Sequence, residues 1–133
     1  MIRRAFLIAS LLASISPLMA IGPVRAASDL TVIYVGGLDC PPCTEWKITQ
    51  KARWLASPEY KKVTWVEVES PKLREAYKER YWPADLRPVL AQLPRKSGTP
   101  RFLIVRDGKL VANEFGTGRW AATVADLKKE LGE

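Results

Sequence analysis

Two cysteines three residues apart, Cys40 and Cys43, carry the most specific chemistry in this sequence. They are the only cysteines, and the chain has no histidine. A pair with this spacing can exchange disulfides, because one thiolate attacks and the other then resolves the mixed disulfide. The absence of histidine excludes nucleophiles activated by an imidazole and metal sites with histidine ligands.

The residues around this pair predict a passage from a strand into a helix. Residues 31–35 (TVIYV) are β-branched or otherwise apolar, which is typical of a strand buried on both faces. Two glycines end that run. Residues 44–56 follow the cysteines and predict a helix, and Ser57-Pro58 ends it. The apolar residues at helical spacing, expected to form its buried face, are Ile48, Ala52 and Leu55.

The helix start predicts a different role for each cysteine. Unpaired N–H groups and the positive end of the helix dipole favour a thiolate over a thiol. We therefore expect Cys40, at the exposed end, to attack, and Cys43, one turn into the helix and more buried, to resolve. Pro41 and Pro42 between them have no N–H and remove a donor from the Cys40 thiolate. The pair is thus predicted to be a moderate or reducing couple and not a strong oxidant.

Three other uses of the two thiols compete with redox chemistry. A structural disulfide closing a ring of about four residues contributes only roughly 2 kcal/mol in the loop-entropy model. Structural zinc needs four ligands, so this chain would need a second copy to hold it, and no metal site is predicted. Copper(I) suits a pair of soft thiolates. A Cu(I)-binding carrier or metallochaperone therefore stays open as the alternative function.

The remaining sequence predicts a single α/β domain over residues 27–133 with element order β-α-β-α-β-β-α. The first β-α-β unit implies parallel strands, and Asp107-Gly108 marks an antiparallel hairpin. A mixed four-stranded sheet with helices on both faces is expected. The region from Ser70-Pro71 to Leu93 predicts a broken helix or two short ones. The other predicted strands are 62–68, 101–105 and 109–115, and the last helix is 119–131, with Trp120, Val124, Leu127 and Leu131 on one face.

The N-terminal segment is typical of a secretory signal peptide. A short basic start with Arg3 and Arg4 precedes an apolar stretch of 17 residues, and small or branched residues flank a cleavage point after Ala26. Residues 1–26 are therefore predicted to be removed, which places the protein in the periplasm or another exported location where a disulfide persists. The paired arginines leave the Sec and Tat routes undecided. An uncleaved membrane anchor is the alternative.

The charge distribution argues against a nucleic-acid partner. Removal of Arg3, Arg4 and Arg25 lowers the number of basic residues from 21 to 18, against 14 acidic ones, and leaves a net charge of +4. These residues are scattered along the chain, which is typical of a solvated surface. We expect a monomer that contacts a membrane only if its signal segment is retained.

The order strand, CPPC, helix, strand, helix, Gly98-Thr99-Pro100, hairpin and final helix resembles the thioredoxin superfamily over nearly the whole predicted domain. The resemblance implies a thioredoxin-like fold and a thiol–disulfide oxidoreductase that acts on protein thiols and disulfides without a cofactor. It also implies that the Thr99-Pro100 bond is cis and that these two residues bind the substrate backbone. Only X-Pro bonds adopt the cis form at low cost.

Two positions depart from the family pattern. Asp39 stands before Cys40 where thioredoxins usually have Trp, and a carboxylate there opposes thiolate formation. Tyr34 occupies the position of the family's buried proton-relay Asp. The relay is therefore either missing or supplied elsewhere, with Glu45 and Glu67 as the candidates.

Overall fold

The computed structural model describes residues 29–133, so the predicted signal segment 1–26 lies outside the described residues. Its four strands are β1 Leu30–Gly37, β2 Thr64–Ser70, β3 Arg101–Arg106 and β4 Lys109–Phe115. They form one sheet in the order β2-β1-β3-β4. β1 pairs in parallel with β2 and antiparallel with β3, which pairs antiparallel with β4. The predicted mixed four-stranded sheet is confirmed.

Helices cover both faces of this sheet, as the sequence predicts. One face, here called the disulfide side, carries both cysteines together with Val32, Tyr34, Phe102 and Trp120. The other face, here called the opposite side, carries Ile33, Val35, Leu103 and Val89. Alternate residues of a strand point to opposite faces, so central strands β1 and β3 supply both cores. The helices are α1 Pro41–Trp46, α2 Ala52–Leu55, α3 Arg87–Gln92 and α4 Trp120–Glu130.

The helix that follows the cysteines buries a different face from the predicted one. Ile48 is 78% exposed, Leu55 is 38% exposed and Ala52 is also exposed, so the predicted buried stripe is wrong. Trp46 and Trp54 are buried instead. A π-helical turn, Lys47–Lys51, joins α1 to α2. Its wider turn takes up one extra residue, which brings Trp54 back to the face that Trp46 already buries.

The predicted helix after Ser70-Pro71 is also wrong. The chain forms separate 3₁₀ turns instead, at Leu73–Glu75, Glu79–Tyr81 and Ala84–Leu86. Tertiary hydrogen bonds hold this segment instead. The Leu73 N–H donates to Asp39 Oδ1 at 2.6 Å, and the Trp82 indole donates at 2.8 Å to the Ala76 carbonyl, which an α-helix would use for its own hydrogen bond. Only the last part of the predicted region, α3, is α-helical.

The final helix agrees with the prediction, since Trp120 and Leu127 are buried and Val124 and Leu131 pack against the same core. That core is strongly aromatic. The Trp46 ring stacks on Tyr34 at 5.0 Å between centroids and meets the edge of Trp120 at 5.1 Å. Within residues 29–133, no helix is long and apolar enough to cross a membrane.

Candidate redox site

Cys40 and Cys43 form a disulfide at the start of α1, with their Cα atoms 5.2 Å apart. Cys40 is the N-cap residue, and its Sγ accepts a hydrogen bond from the Cys43 N–H at 3.2 Å. The same sulfur would carry the negative charge of a thiolate after reduction. A helix N-cap thus supplies one backbone donor to the sulfur predicted to attack.

Pro41 and Pro42 occupy the first two positions of α1, and both are exposed. Their fixed φ suits a helix start, but neither contributes an N–H to the sulfur. The Thr44 N–H and hydroxyl donate instead to the Cys40 carbonyl, at 3.1 and 3.3 Å. The Cys43 N–H is therefore the one backbone group of this first turn that donates to Cys40 Sγ in the described structure.

A second donor to Cys40 comes from the loop before β3. The Thr99 hydroxyl lies 3.2 Å from Cys40 Sγ and is the donor of that hydrogen bond. The Thr99–Pro100 peptide bond is cis, and both residues are buried. The resemblance implies only a backbone contact between Thr99 and the substrate, and it gives no role to the hydroxyl. The signal that pointed to it was the hydroxyl residue directly before the proline of Gly98-Thr99-Pro100.

Burial of the two cysteines differs from the prediction. Cys40 and Cys43 are each 1% exposed, so the expectation that Cys40 is the exposed member of the pair is wrong for this disulfide form. The Thr99 side chain lies against Cys40 from the neighbouring loop, which sequence distance hides. Asp39 and Pro41 on either side of Cys40 are exposed. The chain neighbours of Cys40 are therefore exposed, whereas its own side chain is buried.

The surroundings of the disulfide are partly apolar. Leu38 is 66% exposed and Leu73 is 37% exposed, and the two belong to segments that touch, because a Cβ at Gly37 would lie 2.5 Å from the Leu73 Cα. The carboxylate of Asp39 accepts the Leu73 N–H. On the other flank, the Thr117 hydroxyl donates to the Pro42 carbonyl at 2.6 Å.

No carboxylate is buried among residues 29–133. Both relay candidates from the sequence, Glu45 and Glu67, are exposed, and Glu67 pairs with Lys51 at 2.7 Å. Glu69, which the sequence reasoning did not single out, is half-buried and pairs with Lys47 on the helix. No carboxylate therefore takes the place of the family's buried acid.

Tyr34 fills the position of that acid with a neutral group. Its side chain is fully buried and its hydroxyl has no hydrogen-bond partner in the described part of the chain. The absence of a side chain at Gly36 makes room for this hydroxyl, since a Cβ there would lie 2.1 Å from it. Burial, followed by the charges of Glu69 and Glu67, raises the pKa of Tyr34, so the phenol is neutral at physiological pH.

This arrangement has the parts for thiol–disulfide exchange. Two donors point at one sulfur, and a second sulfur is close enough to bond it. No cluster of three or more cysteine and carboxylate residues that could hold a metal is found in the described range. The predicted catalytic, substrate-binding and supporting residues, namely Cys40, Cys43, Thr99, Pro100, Pro41 and Pro42, thus lie in one continuous region.

Comparison with solved structures gives the class of fold. The chain is similar to Malassezia sympodialis thioredoxin, with a TM-score of 0.51, 14% identity and coverage of 76% of this chain and 80% of that one. It is similar to Chlamydomonas reinhardtii thioredoxin f2, with a TM-score of 0.52, 18% identity and coverage of 80% and 82%. Fasciola hepatica thioredoxin matches with a TM-score of 0.50, 18% identity and coverage of 77% and 84%.

These likenesses confirm the predicted thioredoxin-like fold. No protein-family model matches the sequence, and a search of curated proteins finds no match.

Proposed function

We propose that this protein is an extracytoplasmic thiol–disulfide oxidoreductase that exchanges disulfides with partner proteins through Cys40 and Cys43. The observation that carries the proposal is the pair of donors on one sulfur. Cys40 Sγ accepts from the Cys43 N–H and from the Thr99 hydroxyl, each at 3.2 Å. Both interactions stabilise a thiolate more than a thiol, and the thiolate is the nucleophile in disulfide exchange.

The reaction proceeds in two balanced steps. The Cys40 thiolate attacks one sulfur of a substrate disulfide, a mixed disulfide forms, and the other substrate sulfur leaves as a thiolate that solvent protonates. Cys43 then loses its proton and attacks Cys40 Sγ, which forms the Cys40–Cys43 disulfide and releases the second substrate thiolate. The substrate gains two electrons and the protein loses two. A dithiol electron donor returns the protein to its reduced form.

Thr99 and Pro100 are proposed to bind the substrate next to the reacting sulfur. Their loop contacts Cys40 directly through the Thr99 hydroxyl. Backbone groups of such a loop recognise an extended peptide without requiring a particular sequence. Exposed Leu38 and Leu73 beside the cysteines favour an apolar segment of the partner protein.

The couple is proposed to be moderate or reducing. No cationic residue stands between the cysteines, and the two prolines withhold N–H groups from the thiolate. The reduced form is therefore stabilised less than in strong oxidants, whose potentials lie near about −120 mV. We expect a reduction potential below about −180 mV, measured by equilibration with glutathione and, for a more negative couple, with dithiothreitol.

Location and assembly rest on the sequence. The basic start, the apolar stretch and the cleavage point after Ala26 support export to the periplasm or an equivalent compartment. Tracking of a tagged full-length chain by cell fractionation tests this, with cleavage read from the mass of the exported product. Recovery of the uncleaved chain in the cytoplasmic fraction would reject export. We propose that the exported protein acts as a monomer.

Trapping of partners tests the activity. In Cys43→Ala the first step proceeds and the second does not, so Cys40 should hold a partner as a mixed disulfide that dithiothreitol releases. Cys40→Ala, which retains one thiol, is the matched control and should trap nothing. Equal trapping by both variants, or failure of the reduced wild-type protein to reduce insulin, would reject the proposal. Tight, stoichiometric binding of Cu(I) without disulfide exchange would favour a copper carrier instead.

A further inference from the structure

Arg101, the first residue of β3, is a buried cation without a carboxylate partner. Its side chain is 6% exposed, and it is the one buried charged residue among those described. None of the ion pairs of residues 29–133 includes it. Burial of an unpaired charge is costly, so a guanidinium in this place needs strong compensating hydrogen bonds.

Neutral oxygen atoms accept the hydrogen bonds that Arg101 donates. Its Nε donates to the Tyr77 hydroxyl oxygen at 2.8 Å, its Nη1 to Asn113 Oδ1 at 2.8 Å and its Nη2 to the Ser97 carbonyl at 2.6 Å. The guanidinium also lies 5.4 Å from the centre of the Phe115 ring. The planar guanidinium thus connects three parts of the protein: β4, the opposite-side core and the loop before β3.

Tyr77 extends this contact along the loop. Its hydroxyl accepts from Arg101 Nε and donates to the Gly98 carbonyl. Two consecutive carbonyls, those of Ser97 and Gly98, are therefore held by the same pair of side chains. Gly98 adopts φ +87°, and a Cβ there would lie 2.7 Å from the Phe115 ring, so this position of the loop has no room for a side chain.

The held carbonyls immediately precede the part of the loop that reaches the disulfide. Thr99 follows Gly98 and donates to Cys40 Sγ. Arg101 itself faces away from the sulfurs, because its β1 partner Val35 belongs to the opposite-side core, whereas Phe102 packs with the cysteines. Any influence of Arg101 on the chemistry must therefore pass through the backbone of this loop.

We propose that Arg101 and Tyr77 are positioning residues that fix the Ser97–Gly98 backbone, and through it hold Thr99 for its bond to Cys40 and for contact with a protein disulfide. This inference rests on the proposed function. The planar fork of arginine matches two differently placed acceptors, whereas a lysine ammonium cannot reach both in the same geometry. The sequence shows only an arginine opening a strand.

Stopped-flow kinetics of the reduced protein with two disulfides test the inference. Insulin requires contact with the loop backbone, whereas 5,5′-dithiobis(2-nitrobenzoate) is small and requires only an accessible thiolate. Arg101→Gln and Arg101→Lys should each lower the second-order rate with insulin about tenfold, since small misplacements of a binding group have effects of this order or larger. The rate with the small disulfide should fall less than threefold.

Tyr77→Phe separates positioning from charge, because it removes the hydroxyl and leaves the Arg101 cation in place. It should slow insulin reduction about threefold, and double-mutant cycles with Arg101→Gln should be non-additive. Arg106→Gln is the matched control, since Arg106 stands at the far end of β3 and pairs with Asp29 and Glu130. This variant should retain the wild-type rates with both disulfides.

A substrate-free measurement keeps the inference apart from the proposed activity. The absorbance of the Cys40 thiolate, titrated in a Cys43→Ala background, reports the Thr99 bond directly. Arg101→Lys retains the charge but should still raise the Cys40 pKa, as should Tyr77→Phe. If both variants keep the wild-type Cys40 pKa and insulin rate, the positioning role is wrong even when the wild-type enzyme is active. If only Arg101→Gln changes the pKa, charge alone acts and the inference is again overturned.

Discussion

The two sides of the sheet differ in how the polar groups of their buried aromatic side chains are bonded. On the disulfide side, four buried donors have no hydrogen-bond partner in the described part of the chain: the Tyr34 hydroxyl and the indole N–H groups of Trp46, Trp54 and Trp65. On the opposite side, the buried donors are used. The Trp82 indole bonds the Ala76 carbonyl, and Arg101 and Tyr77 hold the loop carbonyls.

This difference gives the two sides of the sheet different structural roles. The disulfide side packs by contact between aromatic faces and edges, as in the Trp54–Trp120 pair at 5.4 Å and 82°. Aromatic faces accept hydrogen bonds from N–H groups only weakly. These contacts therefore fill the core but do not fix the direction of any hydrogen bond. The opposite side fixes directions, because a hydrogen bond to a carbonyl holds the backbone that carries it. Thr99 lies between the two sides of the sheet. Its loop is held by side chains of the opposite side, and its hydroxyl donates to Cys40 Sγ on the disulfide side.

The largest expected effect compares Trp82→Phe with Trp46→Phe. Both remove part of a buried indole, but only Trp82→Phe leaves a buried carbonyl, that of Ala76, without its donor. We expect a loss in the free energy of unfolding of about 3 kcal/mol for Trp82→Phe and about 2 kcal/mol for Trp46→Phe. Urea unfolding of the oxidised proteins measures both. A larger loss for Trp46→Phe would remove the distinction between the two sides.

The next comparison is between two tyrosines. Tyr34→Phe removes an unpaired hydroxyl and should raise the free energy of unfolding at pH 7 by about 1 kcal/mol. Tyr77→Phe removes a hydroxyl with two partners and should lower it by about 2 kcal/mol. A loss of stability in Tyr34→Phe at pH 7 would show that its hydroxyl has a partner after all.

The pH dependence of Tyr34→Phe sharpens this test. The folded-state pKa of Tyr34 is raised, so the unfolded chain loses that proton first. Stability is therefore lost as the pH rises from about 10 toward the folded-state value. Tyr34→Phe should remove this part of the alkaline loss, so its advantage over wild type should be larger at pH 10.5 than at pH 7.

The smallest expected effect is at Thr99, between the two sides of the sheet. Thr99→Val keeps the shape but removes the donor to Cys40, and should raise the Cys40 pKa in a Cys43→Ala background by about one unit. The reduction potential of the two-cysteine protein should become more negative. Thr123→Val is the matched control, since Thr123, in α4, is also buried but donates to the Arg119 carbonyl. An unchanged pKa in Thr99→Val would mean that the Cys43 N–H alone stabilises the thiolate.

Strands were predicted better than helices because their signal is local. The run at residues 31–35 is apolar throughout, and β1 is buried on both faces as such a run predicts. The helix after the cysteines was predicted, but its buried face was not. The stripe of Ile48, Ala52 and Leu55 assumed regular α-helical spacing, and the π turn changes that spacing where two tryptophans need to be buried.

The candidate redox site shows the same contrast between features set by local sequence and features set by tertiary contacts. Cys40 and Cys43 were predicted from their type and spacing, and Thr99 and Pro100 from the resemblance to the thioredoxin superfamily. The structure brings these residues together. The burial of Cys40 was not predicted, because the residue that covers it lies 59 positions away in the sequence. In the sequence, Arg101 is one of many scattered basic residues.

The sequence by itself determined the strand order along the chain, the cysteine pair at a helix start and the two prolines that withhold N–H groups. These features depend on residue type and on residues close in sequence, so they can be read before the chain folds. Only the tertiary structure decided that both cysteines are buried, which tyrosine hydroxyl has hydrogen-bond partners and which arginine bonds the loop. Those outcomes depend on contacts between distant segments, and a hydrogen bond across such a distance exists only once the sheet has brought both partners into place.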